Sequence, residues 1–151
     1  MKKLLATLTL LLALTAPGFA QSPALLGLAP SGPAAPDIIT RGFDAYAKSD
    51  SDAVDIWFAG SPLNDDLPTK TKLLTALNEF EKAYGKYTGY EICKVVTLTP
   101  STKIVYAVLK FEKGPVWFAF NLYKATDTWT VPTLNANQNP QQILPAGLLG
   151  G

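Results

Sequence analysis

No histidine occurs among the 151 residues, and there is one cysteine, Cys93. That composition removes Ser-His-Asp and Cys-His catalysis, histidine zinc sites and imidazole switches together. A single thiol makes neither an internal disulfide nor a multi-cysteine metal centre. Its neighbours Val95 and Val108 offer nothing to activate a thiolate, so Cys93 reads as a small apolar strand residue. General acid–base work would fall to carboxylates. Asp44, Asp52 and Asp55 lie beside apolar helical stripes, where solvent is their usual surrounding, and Asp65-Asp66 is a loop pair without a third ligand for calcium. A base must reach its substrate proton before its pKa matters, and no carboxylate falls on the inward side of a strand. The expectation is a protein that is not an enzyme, without catalytic residues, cofactor or resident metal.

The cation out of pattern is Lys94, set in the run Ile-Cys-Lys-Val-Val at 92–96. Lysine is almost never fully buried without a partner. Three arrangements account for it. The stem can lie along the apolar face while the ammonium reaches the rim. A bulge can turn Lys94 outward and bring Cys93 or Val95 inward. Or Lys94 can point into a water-filled pocket walled by Tyr90, Phe120 and Trp129, with the small Ala107 leaving room, and hold an anionic group there.

These side chains depend on a particular order of elements. Asp37, after Pro36, caps a first helix with Ile39, Phe43 and Tyr46 on one stripe. Ser49 with Asp52 opens a second, whose Val54, Trp57 and Phe58 face inward before Gly60 and Pro62 end it. Thr69 starts a third, with Leu73, Leu77, Phe80 and Tyr84 on one face and Gly85 as its stop. From Tyr87 the period switches to two, predicting strands over about 87–98, 103–112, 116–124 and 129–134. A hairpin centred on Lys113-Gly114 pairs Phe111 with Val116, Leu109 with Phe118, Ala107 with Phe120 and Val105 with Leu122. One centred on Pro100-Ser101 adds Tyr90, Ile92, Lys94 and Val96 to that face and sets Glu91 opposite Lys110 on the other. Trp129 and Val131 join the apolar face, and Pro132 suits an edge strand. The other face carries Ile104, Tyr106, Trp117 and Tyr123, too apolar to stand bare. Either the termini fold over it or a second copy does, which makes these four the candidate homodimer interface.

Residues 1–20 read as a signal peptide. Lys2 and Lys3 precede an uncharged stretch at 4–16, and Gly18 and Ala20 sit at the cleavage positions before Gln21. A membrane anchor needs about 20 apolar residues, and Pro17 intervenes too early. Residues 21–36, with four prolines and no charge, form a flexible leader; 37–134 is a single domain; 135–151 is a loose tail in which Ile143 and Leu144 can tuck back. Losing Lys2 and Lys3 turns the net charge of +1 into −1, which draws the protein to neither nucleic acid nor an anionic membrane. The expected location is secreted or periplasmic.

Helices followed by an antiparallel meander form an α+β order in which a curved four-stranded sheet packs on three N-terminal helices. Residues 114–144, GPVWFAFNLYKATDTWTVPTLNANQNPQQIL, resemble the end of small secreted proteins of the nuclear transport factor 2-like superfamily. The shared order is a Gly-Pro turn, an aromatic strand, a Tyr-Lys ending, a turn and a Trp-containing strand. The usual form has a short hairpin before the last helix, for which only Ser61 to Pro68 is left here. A reduced version, or a cystatin-like neighbour, fits that departure. The resemblance implies a cone with a pocket between sheet and helices and, because that architecture hosts many roles, no single function. Two roles follow. One is a non-catalytic module holding a small apolar, amphipathic or anionic ligand in the cone. The other is a protein–protein or self-association module acting through the outer sheet face.

Overall fold

In the computed structural model, which describes residues 32–149, Pro36 stands at the N-cap of α1 (Asp37–Tyr46). Asp37 is therefore the first helical residue and makes no side-chain cap. Its carboxylate still sits in the first turn, where the helix dipole favours it. Ser49 caps α2 (Asp50–Phe58) as its spacing predicts, with Oγ accepting the Asp52 N–H at 3.2 Å. α3 (Leu67–Tyr84) begins two residues before Thr69. Asp66 is its cap, accepting the Thr69 N–H at 3.1 Å and the Thr69 hydroxyl at 2.6 Å. Gly85, at φ +83°, ends it in a backbone conformation that side chains other than glycine resist. Between α2 and α3 the chain makes a 3₁₀ turn, Pro62–Asn64, with no hairpin.

The four strands β1 (Tyr87–Thr99), β2 (Thr102–Phe111), β3 (Gly114–Tyr123) and β4 (Thr130–Asn137) pair in sequence order as an open antiparallel sheet. The β2–β3 turn is Glu112-Lys113, so Leu109 faces Val116, Ala107 faces Phe118 and Val105 faces Phe120. This is two residues from the expected register. Because side chains alternate with a period of two, a slip of two leaves every residue on its expected face.

The β1–β2 ladder departs further. Tyr90 pairs with Leu109 and Ile92 with Ala107, and the register then slips at Cys93, so that Lys94 pairs with Tyr106, Val95 with Val105 and Val96 with Ile104. One extra residue reverses the faces beyond it. Lys94 is thus exposed on the outer face, Val95 packs against the core, and the placement of Lys94 and Val96 beside Ile92 is corrected. Glu91 lies opposite Val108 and reaches Lys110 diagonally, with Lys110 Nζ 2.8 Å from its Oε1. Both partners are more than two-fifths exposed, so the pair is worth at most about 1 kcal/mol.

Helices α1 and α2 lie on the inner face, and the space between is filled by rings. Phe43 stacks on Tyr90 with centroids 4.5 Å apart and meets Trp57, Phe118 and Phe120 edge-on at 5.2, 6.3 and 5.6 Å. Trp57 lies so close to α1 that a Cβ on Gly42 would be 2.0 Å from its indole nitrogen. That nitrogen donates to the Ile39 carbonyl at 3.3 Å. Behind this wall, β4 runs on to Asn137 past the expected end of the domain at 134. A 3₁₀ turn (Pro140–Gln142) and a short helix α4 (Ala146–Leu149) follow, with Leu144 buried between them. The tail is therefore structured over much of its length. The expected signal segment and residues 21–31 of the leader lie outside the described residues, and among the described residues no helix is long and apolar enough to cross a membrane.

Candidate functional site

The five pocket candidates do not converge. Ala107 and Phe120 have no exposed surface and Tyr90 retains 4%, all three within the packed core. A side chain lining a water-filled cavity would keep accessible area, so the space between helices and sheet is filled where these residues stand. Lys94 is on the opposite face, moved there by the bulge at Cys93. Trp129 lies at the rim, partly buried against the core, with the ammonium groups of Lys103 and Lys124 5.0 and 5.4 Å from its ring centroid. Two cations over one indole use its π-face as a docking surface for side chains of this same chain.

Among the described residues the buried Tyr90 hydroxyl makes no hydrogen bond of ordinary geometry, although the Asp44 carboxylate lies close enough to interact with it. Burial, and then the negative charge of Asp44, push its pKa up to about 12. Burial likewise raises Tyr46 and Tyr87 well above the ordinary tyrosine value, and it raises the Cys93 thiol, with the charge of Glu91 adding to the shift. A thiol held protonated is a poor nucleophile and a poor metal ligand. Two of the acidic candidates also have structural occupations. Asp55 pairs with Lys70 at 2.8 Å, and Asp66 caps α3, its carboxyl held below the usual range by the hydroxyl and N–H of Thr69. Among the described residues no three acidic or cysteine side chains gather as a metal centre.

Concave surface lies elsewhere. α3 buries only Leu73 and Leu77 of its 18 residues, so it stands off from the free edge of the sheet. The gap between α3 and β4 is a groove of about 480 Å³ walled by Phe58, Leu63, Leu73, Ala76, Leu134 and Ala136. Lys72 stands at its lip. A second depression on α3, at Leu67 and Pro68, shares Lys72 and Ala76 with it, and Leu67 is 70% exposed there. The α3–β4 groove has no counterpart in the sequence reading because Ala76 and Lys72 fall outside the stripe that reads as buried. The signal present was a helix whose apolar residues spill beyond one stripe.

The four interface candidates share the outer face. Val108 pairs with Trp117, Tyr106 with Ala119, Ile104 with Asn121 and Thr102 with Tyr123. Val108 and Ala119 are buried, Ile104, Tyr106 and Trp117 half-buried, and Tyr123 is 47% exposed. The C-terminal tail supplies part of that cover: Gln142 and Ile143 form one wall of a groove of about 350 Å³ whose other side is Ile104, Tyr106, Asn121 and Asn135. The structure is an α+β fold with helices preceding a four-stranded open antiparallel sheet. No family model, curated protein or solved structure matches this chain.

Proposed function

We propose that this is a secreted or periplasmic, non-catalytic binding module that holds the chain of a small amphipathic monoanion in the α3–β4 groove. The carrying observation is an apolar trough of about 480 Å³ with one lysine at its lip. That volume falls in the range of small-molecule sites, about 300–1,000 Å³. Apolar walls extract a hydrocarbon chain from water at about 25 cal/mol per Å² buried. Lys72 keeps its head in solvent on a long stem and meets an anionic headgroup there.

The test is displacement of a fluorescent fatty-acid probe by dodecanoate. Ala76→Trp fills the trough and is expected to abolish uptake with the fold retained, since Ala76 is only half-buried. Lys72→Gln is expected to weaken dodecanoate several-fold and leave dodecanol unchanged, because only the former carries a charge for the ammonium. Uptake that persists in a folded Ala76→Trp protein refutes the assignment.

A second reading is self-association through the outer sheet face, supported by the half-buried Trp117, Tyr106 and Ile104 and the exposed Tyr123. A buried aromatic anchor commonly contributes about 2 kcal/mol or more. Trp117→Ala should then shift a dimer toward monomer in sedimentation, and a wild type monomeric at high concentration ends this reading.

A further inference from the structure

Two asparagines at alternate positions of a strand call for an explanation, because asparagine is among the residues depleted from sheets. β4 ends Leu134-Asn135-Ala136-Asn137, and pairing sets Asn135 opposite Ala119 and Asn137 opposite Trp117, with their side chains on the outer face. Asn121 lies on the same face of β3, opposite Ile104 of β2. Gln142 closes the far side from the tail. Four carboxamides thus surround the groove of about 350 Å³, and Tyr106 stands beside them over the small side chain of Ala119.

These walls do not bond to one another. Among the described residues the side chains of Asn121, Asn135 and Gln142 make no hydrogen bond, and Asn137 only accepts the Asn139 N–H at 2.8 Å. Each carboxamide offers two donors and a carbonyl acceptor. A gap lined by such groups, wide enough that they miss each other, is matched by a molecule bearing donors and acceptors at every edge. No charged side chain lines it, so neither an anion nor a cation is selected. The half-buried ring of Tyr106 and the flanking Ile104 and Ile143 provide apolar surface for the C–H face of the same molecule. Adjacent hydroxyls on one edge and a C–H face on the other describe a sugar ring.

We infer that the outer-face groove between β2–β4 and the C-terminal tail is a binding site for a neutral saccharide. Its volume suits one or two rings, at the small end of ligand sites of about 300–1,000 Å³. The site stands independently of the α3–β4 trough, which lies on the other side of β4 and is apolar.

The experiment is a heteronuclear NMR titration of the full-length mature chain with cellobiose, maltose and diacetylchitobiose, reading the side-chain NH₂ signals of Asn121, Asn135 and Gln142. At least one disaccharide is expected to shift these signals saturably, with a Kd near the millimolar range, about 1 mM. Asn135→Leu, at an exposed position, is expected to weaken that binding at least about tenfold, as loss of a polar partner at such a site does. Ala119→Leu, which fills the floor, is expected to abolish it. Far-ultraviolet circular dichroism and the thermal melt serve as the control for folding in both variants. The inference is overturned if none of the three sugars moves the amide signals at about 20 mM, well above that Kd. It is equally overturned if Asn135→Leu binds as well as the wild type, or if sedimentation shows two copies closing this face.

Discussion

Replacing Gly42 with alanine is expected to destabilise the protein, although the same change in an ordinary exposed helix stabilises by about 0.5–1 kcal/mol. The added methyl would lie 2.0 Å from the Trp57 indole nitrogen, 2.3 Å from Cδ1 and 2.6 Å from Cε2. Contact between such atoms is comfortable at about 3.5–4.0 Å, so the ring has to move by more than about 1 Å. It has nowhere empty to go, since Trp57 has no exposed surface and Phe43 and Phe120 bracket it at 5.2 and 5.4 Å. Overpacking of this kind costs about 1–3 kcal/mol. Moving the ring also separates its N–H from the Ile39 carbonyl, and a buried donor left unpaired costs about 1–3 kcal/mol. Against the propensity gain, the net loss is about 1–5 kcal/mol. With an unfolding entropy of about 0.25 kcal/mol/K for a domain near 120 residues, Tm should fall by about 4–20 °C. Thermal melts followed by far-ultraviolet circular dichroism measure it. Combining Gly42→Ala with Trp57→Phe should recover about 1 kcal/mol or more relative to additivity, because the smaller ring makes room. A Gly42→Ala protein that melts at or above the wild-type temperature would refute the close approach of α1 and α2 as a fixed feature of the core.

Tyr90→Phe removes a buried hydroxyl that makes no hydrogen bond of ordinary geometry, so stability in urea should be unchanged or rise by up to about 1 kcal/mol; a loss above about 1 kcal/mol would mean that the hydroxyl bonds the nearby Asp44 carboxylate in solution. Alkaline pH should unfold the protein. A tyrosine in the unfolded chain ionises near 10, while Tyr90 holds its proton to about 12 and Tyr46 and Tyr87 are shifted the same way. Between those values the native state binds more protons than the unfolded one, so stability is full below about pH 10 and falls as pH rises. Absorbance at the phenolate band should therefore rise cooperatively with loss of circular dichroism, and six tyrosines titrating independently near 10 would contradict it. Exported protein should begin at Gln21 or within a few residues, as set by Gly18 and Ala20, and N-terminal sequencing that returned Met1 would overturn the targeting expectation.

The ends of α2, the stop of α3 and the facing of most strand residues were legible because each rests on local chemistry, whereas the caps of α1 and α3 fall at Pro36 and Asp66 in place of Asp37 and Thr69. Ser49, Gly60 and Gly85 act through their own backbone neighbourhood, and alternation survives a register error of two. Lys94 shows where that legibility stops. A bulge that turns Lys94 outward and Val95 inward is one of the three arrangements an out-of-pattern lysine admits, but the pattern does not choose among them, since Cys93 is tolerable on an outer face and the apolar run Val95-Val96 reads the same in either phase. A single unpaired residue then moved the central member of the expected pocket to the other side of the sheet. The closing of the core was illegible for a related reason: alternation says which rings face inward but not whether they meet. The two grooves depend on where α3 and the tail come to rest, which is decided by packing between distant segments. The four interface candidates were easier, because a shared face follows from parity alone.

The order of strands bears on how this chain reaches its native state. Each strand pairs only with its neighbour in sequence, so the sheet can assemble through hairpins, each forming in about 1–10 μs. The ring cluster is different: Phe43 must find Phe118 and Phe120 across a stretch of about 75 residues, and closing a loop of that length costs about 4 kcal/mol in chain entropy before any contact rewards it. Until the helices arrive, the inner face of the finished meander is a bare apolar sheet with two open edges. Docking of α1 and α2 is thus the slow event, and the interval before it is the time in which this chain is most exposed to aggregation.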